Sequence, residues 1–308
     1  MKRLRILTLE VIILAVLFVL GGCGKNESPV GPEISGDDEV ILRAFVDEYP
    51  DLFTLDYEDN EDGLQEAEIW STDPALPRPI DPVAFWREIT DKQREVDIHI
   101  VQDSISTAEV TVTTYIQGLF HTVTMDSHYT KQIDDTAVMY AYLEKTRPGP
   151  SNDDTRRHGG WTLKKISGWE IVSNPCTKQI NSVQITSSSG LVDTVITDIS
   201  SLWDVEDLFV FQPGDSVTLT VDTGNPQDLV FLHAPRVFRR PFKHIGGGVF
   251  TGTWVTGQWP HADVRPRGRH ATIDVIDHGT VFDDEFPYDS RAWGMVYFVG
   301  ARLDFDED

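Results

Sequence analysis

The sequence predicts an α+β unit followed by an all-β sandwich, on three observations. Apolar residues recur at helical spacing near the start of the body, long runs with two-residue alternation follow, and past Pro175 the runs shorten between turn signals. At 308 residues the chain suits two domains of ordinary size. An apolar content of 40% with eight Trp excludes a mostly disordered chain. The expected division is 1–22, 23–38, 39–175 and 176–308.

Residues 1–5 read Met-Lys-Arg-Leu-Arg, and Ile6 to Leu20 is apolar except for Thr8 and Glu10. As a helix this stretch spans about 22 Å at 1.5 Å per residue, short of the roughly 30 Å hydrocarbon core, so it reads as a signal segment rather than a span. It ends in Leu20-Gly21-Gly22-Cys23, which resembles the lipobox of bacterial lipoproteins. The resemblance implies cleavage before Cys23 and acylation of its sulfur. Two or more acyl chains, at ~0.8 kcal/mol per buried methylene, hold such a protein stably at a membrane. It also implies an outer-membrane destination, because Gly24 stands where Asp favours inner-membrane retention. Residues 24–38, GKNESPVGPEISGDD, are rich in Gly, Pro and small polar residues and form a flexible tether with a reach of roughly 50 Å.

The formal charge is −24; loss of residues 1–22, which carry net +2 (Lys2, Arg3 and Arg5 against Glu10), makes it −26. That balance favours solubility and excludes nucleic acid as a partner. Of the two cysteines, Cys23 and Cys176, acylation of the first leaves the second without a disulfide partner, and Cys176 reads as a small packed side chain.

In 39–175, Val40, Ile41, Ala44, Phe45, Leu52 and Phe53 follow helical spacing, and a second helix is expected from Pro82 through Lys92, with Asp81 as N-cap and Pro82 at the first helical position. Strands are expected at Val96–Val101, Ala108–Phe120, Thr122–Gln132, Ala137–Lys145 and Trp161–Val172. In the second of these Ala108, Val110, Val112, Thr114 and Ile116 alternate with Thr107, Glu109, Thr111, Thr113 and Tyr115, one face buried and the other wet. Asp97 and His99 fall on a solvated face, His121 and His128 flank a strand, and Tyr140 and Tyr142 share one face as packing residues.

The closing run Gly160-Trp161-Thr162-Leu163-Lys164-Lys165-Ile166-Ser167-Gly168-Trp169-Glu170-Ile171 is similar to the final strand of the nuclear-transport-factor-2-like, or ketosteroid-isomerase-like, superfamily. Ala141–Lys145 is similar to the strand before it. The resemblance covers 39–173 and rests on element order and character. It implies a curved antiparallel sheet wrapped around helices as a cone, whose mouth holds a ligand in some members and an acid or base in enzymatic ones.

In 176–308 the expected strands are Asn181–Thr186, Ser216–Asp222, Asp228–Ala234, Val249–Thr256, His270–Ile276 and Trp293–Val299. Pro213-Gly214-Asp215 launches a clean alternation of Val217, Leu219 and Val221 against Ser216, Thr218 and Thr220. The pattern resembles immunoglobulin-like domains in architecture, without their Cys…Trp…Cys mark.

Three motifs are discounted. Gly214-Asp215-Ser216 opens a strand and is not a nucleophile elbow; Gly246-Gly247-Gly248 lacks an accompanying G-x-S-x-G. Asp283-Asp284-Glu285, near Asp274, Asp277 and Asp289, lacks EF-hand spacing and reads as a solvated loop. No metal site, cofactor or catalytic set is expected. What stands out is a basic stretch between His233 and His270: Arg236, Arg239, Arg240, Lys243, Arg265, Arg267 and Arg269 against Asp263 alone, with Phe238, Phe242, Trp254 and Trp259 interleaved. Such a face suits a protein partner or an anionic glycan. The competing expectation is that the arginines pair with the 283–289 loop and the aromatics fill the sandwich. The function expected is that of a membrane-tethered, non-enzymatic binding or interaction module of the cell envelope. The alternatives are a cone enzyme of the isomerase or dehydratase type and a purely structural envelope protein.

Overall fold

The computed structural model describes residues 36–55, 65–66, 76–145, 157–234, 237–257 and 267–302. The signal segment, Cys23, the tether to residue 35, and Arg236, Trp259 and Arg265 lie outside the described residues. Residues 32–308 form one compact unit. No helix among the described residues is long and apolar enough to cross a membrane.

Helix α1 (Gly36–Glu48) opens with Asp37, Asp38 and Glu39, whose charges favour a helix N-terminus. It gives way at Tyr49 to the short α2 (Pro50–Phe53), which has Pro at its first position. Next come β1 (Gln65–Glu66) and three long strands, β2 (Pro82–Gln102), β3 (Ser106–Thr124) and β4 (His128–Lys145). They are followed by β5 (Trp161–Ile166), β6 (Trp169–Ser173), β7 (Ser182–Ser187), β8 (Asp193–Ile196), β9 (Trp203–Asp204), β10 (Phe209–Phe211) and β11 (Ser216–Asp222). The chain closes with β12 (Leu229–Ala234), β13 (Val237–Pro241), β14 (Lys243–Gly246), β15 (Val249–Val255), β16 (Arg269–Ile276), α3 (His278–Phe282) and β17 (Ser290–Val299).

Among the described residues these strands make two sheets. The larger runs β1-β2-β3-β4-β6-β17-β16-β12-β13, with β10 parallel to β17 and with β5 joining β4 to β9; the smaller runs β14-β15-β11-β7-β8. The larger sheet is strongly curved, because side chains from its two ends meet: Phe85 on β2 packs edge-on against Phe231 on β12, and Arg87 on β2 binds Asp274 on β16. Its inner face carries α1 and α2. Leu42, Phe45, Val46, Leu52 and Phe53 pack there against Val110, Val112, Ala137, Met139, Ile171, Ala292 and Val296. Across the outer face of its C-terminal strands lies the smaller sheet, giving a second core of Val183, Ile185, Val217, Leu219, Val221, Phe250 and Trp254 against Leu232, Ile273, Val275, Trp293, Met295 and Tyr297. β17 therefore serves both cores, alternate residues facing each.

Several expectations meet corrections. Residues 82–92 are strand, not helix. Register shifts between Pro82 and Ala84 and between Ile89 and Asp91 change which parity faces inward, so Pro82, Phe85 and Ile89 mimic helical spacing inside a ladder. The β3–β4 turn lies at residues 125–127, inside the expected strand 122–132, and β4 runs on unbroken through the gap expected before Ala137. Ser167 and Gly168 split the expected strand 161–172; a Cβ on Gly168 would come within 2.5 Å of the Trp293 indole nitrogen and 2.6 Å of the Gly294 carbonyl. The sheet also crosses the boundary expected at 175: Ile171 and Val172 on β6 pair with Ala292 and Arg291 on β17. Three strands expected in the sandwich, β12, β16 and β17, thus belong to the larger sheet. The expected helix near 39–53 and the clean strand at 216–222 are present.

Candidate functional site

The basic and aromatic stretch does not form one exposed face. Arg239 and Trp254 are buried, which corrects the expectation that they serve as contact residues. The alternation of β15 turns Trp254 into the core between the sheets, beside Phe211 and Tyr297. Arg239 lies over the rings of Phe85 and Phe231, its guanidinium carbon 5.6 Å from each. It pairs with Asp274 at 4.0 Å. Arg240, Lys243 and Arg267 are exposed, and Arg269 is half-buried. The first two and Arg269 line β15: Arg240 donates to the Thr253 carbonyl at 3.1 Å, Lys243 pairs with Thr251, and the Arg269 guanidinium lies alongside Gly257.

The most concentrated chemistry is inside the curve of the larger sheet. Arg87 grips Asp274 with both terminal nitrogens, at 2.6 and 2.9 Å, while its Nε donates to the Tyr288 hydroxyl at 2.8 Å. Ser290 Oγ donates to Asp274 Oδ1 at 3.1 Å, and Tyr288 donates to Asp135 at 3.2 Å. His233 Nε2 approaches Asp274 Oδ2 at 3.2 Å, a distance suited to an Nε2–H donating to the carboxylate. Burial pushes the Asp274 carboxyl up, but the Arg87 charge and the His233 and Arg87 hydrogen bonds overrule it and hold the group well below the usual carboxylate range.

This cluster contains a His, an Asp and a Ser, yet it cannot run a nucleophilic relay. Ser290 donates to Asp274, whose carboxyl, held well below the usual range, is too weak a base to take its proton. Both Asp274 oxygens are engaged, and a general base needs a lone pair within reach of substrate. What the arrangement does is tie the two ends of the sheet together.

Two buried lysines do comparable work nearby. The Lys131 ammonium donates to the carbonyls of Gly279, Thr280 and Asp283 at 3.0, 2.6 and 2.6 Å, capping α3. Burial lowers its pKa to about 8, against the raising effect of Asp283, Asp284 and Asp277. Lys178 bridges Asp228 and Asp277. Cys176 is half-buried, and burial pushes its thiol up, away from thiolate reactivity.

On the outer face a second constellation gathers at the β3–β4 turn. His121 Nδ1 and His128 Nε2 are 2.9 Å apart, and His121 Nε2 is 2.9 Å from Glu88 Oε2. Trp86 stacks on both imidazoles, with centroids at 4.7 and 5.7 Å. The expected strand break at residue 121 falls before the actual turn at 125–127, so the sequence did not pair these histidines across it. His99 and Asp97 are exposed on the solvated face, and Tyr140 is exposed beside the half-buried Tyr142. Among the described residues no group of three or more His, Cys, Asp or Glu could hold a metal ion. No family model, no curated protein and no solved structure matches the chain.

Proposed function

We propose that this chain is a lipid-anchored protein of the cell envelope that acts as a non-enzymatic binding or interaction module. The anchor rests on Leu20-Gly21-Gly22-Cys23 behind a basic and apolar leader, with Gly24 favouring the outer membrane. The non-enzymatic reading is carried by one observation. The inner face of the curved sheet, where an enzyme of the isomerase or dehydratase type would keep its reacting groups, is filled by α1 and α2 at one end and by the Arg87–Asp274 network at the other. A cone of the nuclear-transport-factor-2-like kind, joined to an immunoglobulin-like sandwich, remains the finer fold reading. Helices packed on an inner face and a second sheet packed on the outer one support it. Partner contact, with a protein or an anionic glycan, then falls to the exposed remainder of the basic set, Arg240 and Lys243 beside β15 together with Arg267 and Arg269.

The test is the mass of the mature N-terminus recovered from membranes of a bacterial host. A diacylglyceryl-bearing Cys23 supports the reading, and an unmodified N-terminus beginning at another residue overturns it. Charge reversal of Arg240 and Lys243 should weaken retention on a heparin-type anionic glycan matrix without changing the melting temperature; unchanged retention removes β15 as the contact.

A further inference from the structure

We propose that the outer face of β2, β3 and β4 docks a cationic segment of a partner protein, with an arginine side chain laid over Thr111 and Thr113. The strand register builds the place. Asp97 on β2, Thr111 on β3 and Tyr140 on β4 stand in one row across the sheet, and Glu95, Thr113 and Val138 stand in the next. Neighbouring strands lie about 4.8 Å apart and such rows about 6.8 Å apart, so the two short threonines floor a shallow trough between the carboxylates of β2 and the Tyr140 ring. Along β3, Glu109 stands at one end of that floor and Tyr115 at the other.

The rim is acidic on one side and aromatic on the other. Glu95, Asp97, Glu109, Tyr115 and Tyr140 are all exposed, the tyrosines at 43% and 41%. Among the described residues no hydrogen bond or ion pair engages these five side chains. The nearby cations are turned away or already held. Lys92 and Arg94 stand opposite Ile116 and Thr114, which are buried on the inner face, and Arg94 pairs with Asp47 on α1. Lys165, in the row of Glu109 and Tyr142, is paired with Asp204. Free carboxylates facing a free phenol ring complement a guanidinium, whose planar fork takes a carboxylate and whose face stacks on an aromatic ring. Thr111 lies one strand from Asp97 and one from Tyr140, so a guanidinium above it meets both. The net charge of −24 steers a cationic segment toward this chain and repels an anionic one. This surface is separate from the anchor and from the basic residues beside β15.

The experiment is calorimetric titration of the purified full chain with a blocked peptide of alternating Arg and Gly, whose side chains repeat at the spacing of the rows when extended. Peptides with Lys or Glu in place of Arg, and a neutral cello-oligosaccharide, are titrated alongside. One saturable site that takes the Arg peptide more tightly than the Lys peptide, and neither the Glu peptide nor the oligosaccharide, is the expected result. Tyr140→Ser should lower affinity for the Arg peptide about 2–5-fold and remove its advantage over Lys, the loss of one exposed cation–π contact. Asp97→Asn with Glu109→Gln should lower it about 5-fold. Asp193→Asn with Glu206→Gln, which neutralises two exposed acids elsewhere, should leave it nearly unchanged. Circular dichroism should stay constant throughout, because every substituted side chain is exposed. Equal losses in the two acidic pairs would report only the diffuse field of an acidic chain and overturn the site. Affinity untouched by Tyr140→Ser, or binding of the oligosaccharide in place of the peptide, overturns it as well.

Discussion

The two ends of the inner face are equally dry but closed by opposite chemistry. At the helical end, Leu42, Phe45 and Phe53 fill the curve with apolar volume. At the other, Arg87, Asp274, His233, Arg239 and Tyr288 set charge and hydrogen bonds among Phe85, Phe120 and Phe231. An apolar seal is non-directional, and trimming it leaves a cavity whose cost depends on how far the site collapses. An ionic seal is directional and all-or-none, because removing one partner strands the other in low dielectric. The helical end thus supplies cohesion, and the ionic end pins one strand, β2, against one position on β16.

The comparison can be broken at several points. Arg87→Met strands the Asp274 carboxylate and should cost about 3–5 kcal/mol in urea unfolding. Leu42→Ala opens an apolar cavity at the other end and should cost about 2–5 kcal/mol, with thermal unfolding remaining cooperative. Gly168→Ala forces a methyl against the Trp293 indole and the Gly294 backbone, for about 1–3 kcal/mol by the same assay.

Acid should treat the two ends differently. With its folded pKa depressed, Asp274 contributes stability that is fully present above the ordinary carboxylate value and is lost as pH falls through the lower, folded one. The stability gap between the wild type and Asp274→Asn should therefore be flat from pH 7 to about 4 and shrink below, while the Leu42→Ala gap stays constant. The smallest effect concerns Lys131, whose folded pKa of about 8 lies below the ordinary lysine value of 10.5. Between those values the unfolded chain binds more protons, so stability should rise with pH there, and a Lys131→Met variant should lack that slope.

Where side-chain alternation was undisturbed the sequence was legible: β11 spans the expected 216–222, and β12, β15 and β16 fall within a residue or so of expectation at each end. It misled where backbone irregularity shifted parity, as in the bulged start of β2, whose inward residues imitate a helix. Sheet membership was illegible altogether. β17 is apolar on both faces, which marks a strand as doubly covered but does not say by what. The candidate sites failed for a related reason. Arg239 looked like a surface cation because its partner, Asp274, is 35 residues away in sequence, and the His121–Glu88 contact spans 33.

The pairing of β6 with β17 also sets an order of events along the chain. Ile171 and Ala292 become neighbours only after more than a hundred intervening residues have been made, and closing so long a loop is an entropic cost met before the contact repays it. Until the last strand arrives, β6 presents an unpaired edge and the inner face lacks the wall formed by Ala292, Val296 and Phe298. A chain that stalls short of residue 290 is therefore left with its helices lying on half a surface. Completion of the fold therefore waits on β17 and is reached only once the chain through residue 299 is free to move.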